Sequence, residues 1–220
     1  MASTSTLTKT DKTQTADGIP EKKAYQIIKR AFDLGFSIFC IILLLLPMMI
    51  LAVLVAVTSS GGPIFSQERL GKNGKSFVIY KFRSMKRNAE HNGPQLATQN
   101  DPRCTKIGRF LRKTKLDELP QIFNIFLGDM SFVGPRPERP FFYERYDSTV
   151  PGFRKRLDVK PGLTGYAQLI GGYATPPEIK IQYDLQYIEK RSLGFDFLLL
   201  LKTPVYLIQC LVHKSENGNY

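Results

Sequence analysis

Cysteine and histidine are scarce in this chain of 220 residues, which contains three cysteines, Cys40, Cys104 and Cys210, and two histidines. Three cysteines, an odd number and far apart in the chain, do not form a disulfide framework. So few cysteine and histidine side chains also argue against a Cys/His metal site. The composition excludes collagen-like and coiled-coil classes. We therefore expect one globular domain, alone or with an anchor, whose catalytic part lies in a reducing compartment.

Acidic residues are scarce as well, because 19 Asp and Glu stand against 31 Lys and Arg and give a formal net charge of +12. This excess favours anionic partners, such as nucleic acid, phosphorylated metabolites or acidic lipid surfaces, and the charge alone does not distinguish them. Residues 1–20 are rich in Ser and Thr. That composition predicts a disordered tail and not a secretory signal.

One long apolar run dominates the sequence, since residues 38–57 contain no charged side chain. As a helix rising 1.5 Å per residue it would be about 30 Å long, the thickness of a hydrocarbon core. Pro47 lies in the middle of the run and predicts a kink. Both flanks are basic, with thirteen Lys and Arg against two acids in residues 69–115, and basic flanks favour the cytoplasmic side.

We therefore predict that residues 21–60 form a Pro-kinked, re-entrant membrane helix that leaves both flanks in the cytoplasm. Two alternatives stay open. One is an ordinary single span that tolerates the proline. The other is a buried core helix of a soluble protein, although the run is apolar on every face.

We expect residues 61–220 to form a cytoplasmic domain at the membrane interface, and the whole chain to be an α+β protein that is mostly helical with a small β-hairpin or sheet. Two extended runs flank the turn Gly71–Gly74 and predict the hairpin. The segment 86–103 is rich in Asn, Gly, Pro and Gln, which predicts a mobile loop.

Two further apolar segments predict amphipathic helices. Apolar residues recur at helical spacing from 107 to 126, opposite a face of Lys and Arg, so this basic helix would lie in a membrane interface or pack on the core. Residues 195–212 are apolar but interrupted by Asp196, Lys202 and Pro204. We expect the second segment to lie along the membrane surface or to pack beneath the domain.

Two adjacent carboxylates, Asp117 and Glu118, directly follow a cluster of cations. Pro120 favours the first turn of a new helix, so Asp117 would lie at or near an N-cap and stay ionised. An ionised carboxylate among cations suits a covalent nucleophile on phosphorus or a ligand for a divalent metal that carries phosphates. The alternative without function is an N-cap with solvated partners.

Arg136 lies between Pro135 and Pro137, which nearly fix its backbone. A guanidinium held in this way binds a phosphate or a nucleotide at little entropic cost. A stiff turn with an exposed arginine is the alternative. The stretch Lys160–Gly165 is a second Pro/Gly turn beside a cation, and is a weak signal on its own.

Several ordered features of the chain together resemble one family. They are the basic segment before the apolar run, the run broken by Pro47, and the stretches YKFRSM, LDELPQ, GDMSFVGPRPE and VKPGLTGYAQ. In this order and spacing the chain resembles the bacterial sugar transferases called monotopic phosphoglycosyl transferases, from about Tyr25 to Val212. Several motifs at compatible separations are far more specific than any one of them.

The resemblance implies an enzyme that moves a sugar-1-phosphate from a UDP-sugar to a polyprenol (undecaprenyl) phosphate at the cytoplasmic face of the bacterial inner membrane. It would release UMP, leave a polyprenyl-diphosphate-linked sugar and begin the membrane stage of glycoconjugate or exopolysaccharide assembly. Mg²⁺ is the implied cofactor. The implied partners are the donor, the acceptor and membrane phospholipids, without nucleic acid, and a homo-oligomer stays open.

The resemblance also implies roles for the two adjacent carboxylates and for the proline. Asp117 would attack the β-phosphorus of the donor and form a phosphosugar-aspartyl intermediate. Glu118 would orient the site or manage a proton. The apolar run of the family is a re-entrant helix broken near a proline, to which Pro47 corresponds.

Displacement at phosphorus depends on charge neutralisation and in-line positioning more than on acid–base catalysis. The candidate phosphate-binding residues are the cations Lys81, Arg83, Arg112 and Arg136. The candidate metal ligands are Asp117 and, with less support, Asp184, for which a solvated helix residue is the alternative.

One position departs from the family pattern. After the glutamine of GLTGYAQ, many members carry a short Asn/Ser-Gly-Arg string whose arginine meets the nucleotide donor. Here Gly172 stands at the place of that arginine, and Tyr173 follows it. Tyr173 is therefore a candidate for stacking on uracil, and the donor sugar is left open.

A function of another class also fits the charge pattern. A non-enzymatic, membrane-attached scaffold could bind anionic lipid or nucleic acid through its basic residues 69–115. No helix-turn-helix, zinc-finger or aromatic RNA-binding signature accompanies those residues, however. A binding module also has no need of the Asp117 and Glu118 pair.

Overall fold

The computed structural model describes residues 23–91, 93, 95, 101–172 and 175–216, and this part of the chain is mostly helical. Its helices and strands are α1 Lys23–Thr58, β1 Ile64–Leu70, β2 Ser76–Phe82, α2 Lys106–Thr114, α3 Gln121–Leu127, β3 Ser131–Val133, α4 Pro140–Asp147, β4 Gly162–Thr164, α5 Tyr166–Gly171, α6 Pro177–Lys190 and α7 Leu193–Glu216. The predicted class, mostly helical with a small β-hairpin, is confirmed. The tail predicted for residues 1–20 lies outside the described residues.

The predicted hairpin is formed by β1 and β2, which pair antiparallel from Ile64 opposite Phe82 to Leu70 opposite Ser76. Its turn contains Asn73 and Gly74, both with positive φ, so the sequence Lys-Asn-Gly closes the turn at little steric cost. The alternation along β2 buries Phe77 and Ile79, and Phe82 at the end of the strand is buried in a different group of side chains. The hairpin therefore places one face of β2 in the core.

The segment after the hairpin, predicted as a mobile loop at 86–103, has its ends held together. Met85 and Cys104 form a β-bridge, and the N–H of Lys86 donates to the carbonyl of Arg103 at 2.9 Å. The carboxylate of Asp101 accepts from the Arg103 guanidinium at 2.6 Å. Residues 92, 94 and 96–100 lie outside the described part, so the mobility of the loop stays a prediction.

Helix α1 contains the whole apolar run and continues through Pro47 from Lys23 to Thr58. Most of its apolar side chains point outward, and Ile42 and Val57 are 74% and 81% exposed. This outward apolar surface is typical of a membrane helix and contradicts the alternative of a buried core helix. The kink and the re-entrant path stay predictions.

The periodic segment from 107 to 126 is not one helix, which corrects the expectation. Helix α2 ends at Lys115, which adopts a left-handed conformation with φ of 61°, and a 3₁₀ turn Leu116–Glu118 leads to α3. Pro120 is the N-cap of α3, one residue before the first turn in which it was expected, and Asp117 lies three residues earlier in the 3₁₀ turn. The apolar spacing persists across the break because both helices pack on the same core.

Three groups of buried side chains hold the domain together. The first joins β2, α3, β3, α6 and α7 through residues such as Ile79, Ile125 and Tyr187. The second lies under α4 and the 3₁₀ turn Phe153–Asp158. The third joins the C-terminal half of α1 to β2 and α2, so one side of the apolar helix packs on the domain through Met48 and Val55.

Strands β3 and β4 form a second, parallel pair in which the backbones approach closely. A Cβ at Gly162 would lie 2.0 Å from the backbone nitrogen of Gly134, so only glycine fits there. Helix α7 packs on this core through Leu199 and Phe195 and leaves Phe197 exposed. Only one side of the segment 195–212 is buried, and Leu201, Val205 and Ile208 are exposed, so both expected placements, along the membrane surface and beneath the domain, stay open.

Two helices of the described residues, α1 and Leu193–Leu211 within α7, are long and apolar enough to cross a membrane.

Candidate active site

The 3₁₀ turn that carries Asp117 and Glu118 is positioned by the close packing of α2 on the chain after β2. Thr105 caps α2, because its hydroxyl accepts from the N–H of Gly108 at 3.0 Å. A Cβ at Gly108 would lie 1.8 Å from the carbonyl oxygen of Ser84, so glycine is required for this approach. The left-handed Lys115 then turns the chain into the 3₁₀ turn.

Helix α3 is fixed to β2 by the buried side chain of Asn124. Its amide nitrogen donates to the carbonyl of Val78 at 2.7 Å, and its side-chain oxygen accepts from the N–H of Tyr80 at 3.1 Å. Asn124 therefore satisfies backbone groups of β2 that no strand of the described residues pairs on that side. This contact holds Lys81 of β2 beside the turn before α3.

Glu118 is buried and holds two cations, both of which the sequence predicted as phosphate-binding residues. Arg136 donates from both terminal nitrogens to the two Glu118 oxygens, at 2.5 and 3.1 Å, and Lys81 Nζ lies 3.2 Å from Oε1. Burial alone would raise the pKa of Glu118, but the charges of Arg136 and Lys81 outweigh it and hold that pKa well below its ordinary value. Glu118 is therefore ionised at neutral pH.

Asp117 is also buried but its environment differs. Its Oδ1 is buried and accepts no hydrogen bond within the part of the chain that the structure describes. Burial and the neighbouring Glu118 raise the pKa of Asp117 to about 6, although Lys81, Lys115 and Arg112 act in the opposite direction. The N-cap stabilisation expected from the sequence is absent from this 3₁₀ turn, and burial dominates instead.

The structure thus brings together five of the residues that were singled out from the sequence, namely Asp117, Glu118, Lys81, Arg112 and Arg136. Arg112 belongs to this group because its charge acts on Asp117. Arg83 has other contacts, since its side chain donates to the backbone carbonyls of Gly62 at 2.7 Å and Ile64 at 3.3 Å. Tyr173 lies outside the described residues, directly after Gly172.

Asp184 is paired with an arginine. Its Oδ2 accepts from Nε of Arg156 at 2.7 Å, and both side chains are almost completely buried. Arg156 also donates to the backbone carbonyl of Arg136 at 2.8 Å. Asp184 therefore orients Arg156, which in turn fixes the backbone of Arg136.

A carboxylate beside this network is strongly acidic. Lys180 and Arg69 lie 2.8 and 3.5 Å from the Glu138 oxygens. Burial alone would raise the pKa of Glu138, but the charges of Lys180, Arg156 and Arg69 outweigh it and lower that pKa to about 2. Glu138 and Asp184 thus balance the cations behind Arg136.

The donor set for a metal ion is small. The described residues contain no group of three or more His, Cys, Asp or Glu side chains that could hold a metal. Mg²⁺ in phosphoryl-transfer sites is usually held by one or two carboxylates together with substrate phosphates. The unpartnered Oδ1 of Asp117 fits that pattern, whereas Asp184 does not, because its carboxylate is paired with Arg156.

Sequence reasoning missed three contributors to this site. Lys115 sets the turn before Asp117, Arg156 fixes Arg136, and Asn124 fixes α3. A positive φ at a lysine has no sequence signal, and both hydrogen-bonding side chains act on partners at least 20 residues away. Gln121 is a fourth candidate, since its buried Nε2 has no hydrogen-bond partner among the described residues.

Comparison with known proteins gives consistent matches. The family described as bacterial sugar transferase matches residues 24–210. The UDP-N-acetylgalactosamine-undecaprenyl-phosphate N-acetylgalactosaminephosphotransferase of Aeromonas hydrophila is 43% identical over 182 residues, 81% of this chain and 43% of that protein. The UDP-glucose:undecaprenyl-phosphate glucose-1-phosphate transferase of Escherichia coli (strain K12) is 40% identical over 183 residues, 81% of this chain and 39% of that protein.

A third relative is the undecaprenyl-phosphate galactose phosphotransferase of Salmonella typhimurium, which is 39% identical over 204 residues, 86% of this chain and 42% of that protein. The chain spans about two fifths of the length of these three relatives.

Proposed function

The chain belongs to the bacterial sugar transferase family, and we propose that it transfers a sugar-1-phosphate from a UDP-sugar to undecaprenyl phosphate and releases UMP. The names of the three relatives share this acceptor and differ in the sugar, so the donor sugar is not part of the proposal. The observation that carries the proposal is the pair of buried carboxylates with opposite pKa shifts, set among cations. The opposite pKa shifts distinguish Asp117, the carboxylate proposed to react, from Glu118, which holds the cations in place.

Asp117 is the nucleophile of the proposed reaction. An oxygen of its ionised carboxylate forms a bond to the β-phosphorus, and the bond from that phosphorus to the bridging oxygen of the diphosphate breaks. UMP leaves with the electron pair and a phosphosugar-aspartyl intermediate remains. A phosphate oxygen of the lipid then attacks the same phosphorus, which releases Asp117 and forms the diphosphate of the product.

The surroundings of Asp117 support this role. Its raised pKa makes the carboxylate a better nucleophile than an ordinary aspartate, and a pKa of about 6 leaves it mostly ionised at neutral pH. Its Oδ1 has no competing hydrogen bond among the described residues. Lys81, Lys115 and Arg112 supply the positive charge that transferred phosphoryl groups require.

Glu118 acts through the cations that it holds. Its permanently ionised carboxylate fixes the guanidinium plane of Arg136 and the ammonium of Lys81 beside Asp117. Fixed cations stabilise developing charge without reorganisation during the reaction. We therefore propose that Glu118 is a positioning residue for the phosphate-binding cations.

Mg²⁺ is part of the proposal, and the two carboxylate oxygens of Asp117 would divide the roles, one as ligand of the ion and the other as nucleophile. Bound there, the ion would neutralise charge on the diphosphate of the donor and favour departure of UMP. Asp184 is not a metal ligand in this proposal, because its carboxylate is paired with Arg156.

The site would work at the cytoplasmic face of the bacterial inner membrane, with α1 as a monotopic, re-entrant anchor. Both ends of α1 support this topology, since Arg30 donates to the carbonyls of Ile125 and Phe126 and Val55 packs in the same domain. A straight span would carry one end away from that domain. Transfer of the first sugar to the lipid would begin exopolysaccharide or glycoconjugate assembly.

Replacement of the nucleophile tests the reaction. We expect Asp117→Asn to lower the rate of UMP release by at least about a thousandfold, because an amide does not form the covalent intermediate. The matched control is Asp158→Asn, a change of an exposed aspartate in the 3₁₀ turn 153–158. UMP release by purified protein with a panel of UDP-sugars and undecaprenyl phosphate is the measurement.

The covalent intermediate is tested without the lipid acceptor. Incubation of the native protein with Mg²⁺ and an active UDP-sugar should add the mass of a sugar-phosphate to the peptide that contains Asp117. Undiminished UMP release by Asp117→Asn would overturn the proposed role of Asp117. Absence of the adduct under turnover conditions would instead favour direct transfer to the lipid.

A further inference from the structure

A cavity of about 480 Å³ lies away from the two carboxylates, between the first turns of α1 and the domain. Its apolar wall includes Val133 and Val159, and the side chain of Tyr187 closes one side. None of Asp117, Glu118, Lys81 and Arg136 lines it. Six cations line it, namely Lys23, Lys29, Arg30, Lys72, Lys160 and Arg191.

Negative charge around this cavity is much smaller than the positive charge. Asp33 is the one acidic residue among the described residues that line the cavity, and its carboxylate accepts from the Ser131 hydroxyl and the Phe132 N–H, each at 3.1 Å. Two further acids lie nearby without lining the cavity: Asp196, which pairs with Lys29 at 2.6 Å, and Asp129, whose charge acts on Lys160. The cavity therefore has an excess of positive charge.

The contacts of individual cations confirm this excess. Arg30 donates to two backbone carbonyls, and Arg191 donates to the carbonyl of Ile188. These carbonyl groups carry no net charge, so they do not neutralise the two arginines. Burial and the charges of Arg30 and Lys72 lower the pKa of Lys160, and they outweigh the opposite action of Asp33 and Asp129. A bound anion lowers the electrostatic repulsion within such a group of cations.

The cavity lies next to the part of α1 that begins the apolar run. Asp33 precedes Ile38 by five residues, which is about 7.5 Å along a helix. Ile27, which lines the cavity, is 70% exposed, and Phe32 nearby is 43% exposed. Cations one or two turns before an apolar membrane segment lie at the level of lipid head groups.

We propose that this cavity binds the phosphate of an anionic phospholipid head group. A soluble phosphate would need only the cations, whereas the apolar wall and the exposed Ile27 also suit the glycerol and the first methylene groups of a lipid. The bound lipid would fix the first turns of α1 against β3. Its occupation is separate from the chemistry at Asp117.

Native mass spectrometry of the delipidated full chain in detergent tests this site. Phosphatidylglycerol is titrated, with phosphatidylcholine and inorganic phosphate as separate arms. The variant is Lys23→Gln with Lys160→Gln. The charge-matched control is Lys155→Gln with Lys190→Gln, two exposed lysines outside the cavity.

We expect one molecule of phosphatidylglycerol to be retained by the native chain and the control, and the Lys23 and Lys160 variant to bind it at least about tenfold more weakly. Phosphatidylcholine should not be retained. UMP release should continue in the variant, which separates this site from the proposed function. Equal retention by the variant and the control would overturn the site, and displacement of the lipid by inorganic phosphate would overturn the assignment to a lipid.

Discussion

Asp117 and Glu118 are adjacent in the chain, yet their carboxyl groups differ in proton affinity. Arg136 and Lys81 bind Glu118 directly, and their charges lower its pKa. No hydrogen bond reaches Oδ1 of Asp117 among the described residues, and burial with the charge of Glu118 raises its pKa to about 6. One residue therefore keeps the cations in place while the other is left to react.

The raised pKa of Asp117 predicts the pH dependence of the reaction. Because only the ionised carboxylate attacks phosphorus, we expect kcat/KM to fall as pH decreases through about 6. Glu118 should not contribute, since its pKa is lower. The pH dependence of kcat/KM is measured as the rate of UMP release at saturating lipid. The range is pH 5 to pH 8, roughly that in which perturbed carboxyl groups titrate. A rate that stays constant down to pH 5 would contradict it.

The raised pKa of Asp117 also predicts that replacing this residue stabilises the folded protein, although the same replacement stops the reaction. The folded-state pKa of Asp117 lies above its ordinary value of 3.8, so its favourable contribution is complete below pH 3.8 and is lost as pH rises through about 6. We expect Asp117→Asn to increase the free energy of unfolding at neutral pH by roughly 1–3 kcal/mol. Chemical unfolding in detergent at pH 4 and pH 7 should show the increase only at pH 7.

The sequence predicted the identity of these residues better than their contacts. Adjacent acids after a row of cations, and an arginine between two prolines, singled out Asp117, Glu118 and Arg136 as candidates, and the resemblance to the family supplied the role of Asp117. The pairing of Glu118 with Arg136 joins residues 18 positions apart across two elements, so it depends on the fold. The pairing of Asp184 with Arg156 escaped prediction for the same reason.

At the scale of elements, the site depends on the junction of α2 and α3. Apolar spacing continues from 107 to 126, so the sequence predicts one helix, but Lys115 and Pro120 interrupt it. The interruption turns the two carboxylates inward as a 3₁₀ turn. The hairpin was predicted well because its turn and its alternation are local signals.

The two hydrogen bonds of the Asn124 side chain predict how much the contact between α3 and β2 contributes to stability. We expect Asn124→Ala to lower the free energy of unfolding by about 2–4 kcal/mol, because the Val78 carbonyl and the Tyr80 N–H lose buried partners. Asn88→Ala, at an exposed position, is the control and should change it by less than about 0.5 kcal/mol. Thermal unfolding in detergent compares the two variants, and equal effects would contradict this assignment.

At the scale of the whole molecule, α1 contacts the domain over much of its length. Its N-terminal part binds α3 and β3 through Arg30 and Asp33, and Met48 and Val55 pack against β2 and α2. Its apolar surface between these contacts faces outward. The sequence predicted the apolar helix from length and charge, but not these contacts.

Chemical labelling tests the re-entrant topology. We expect cysteines introduced at Ala24 and at Lys75, both exposed, to react with an impermeant reagent only from the cytoplasmic side, because both ends of α1 contact one domain. The native cysteines Cys40, Cys104 and Cys210 are first replaced by serine, and retention of UMP release is the control. Labelling from opposite sides of the membrane would restore the ordinary single span.

The packing of α1 on the domain has a consequence for work with the isolated enzyme. Met48 and Val55 cover Leu111, and Leu116 beside Asp117 belongs to the same apolar group. Deletion of the chain before residue 60, intended to give a water-soluble fragment, would uncover the underside of the reactive turn. The detergent that surrounds the apolar part of α1 should therefore influence turnover even when both substrates are saturating, because this part of α1 supports the shape of the catalytic centre.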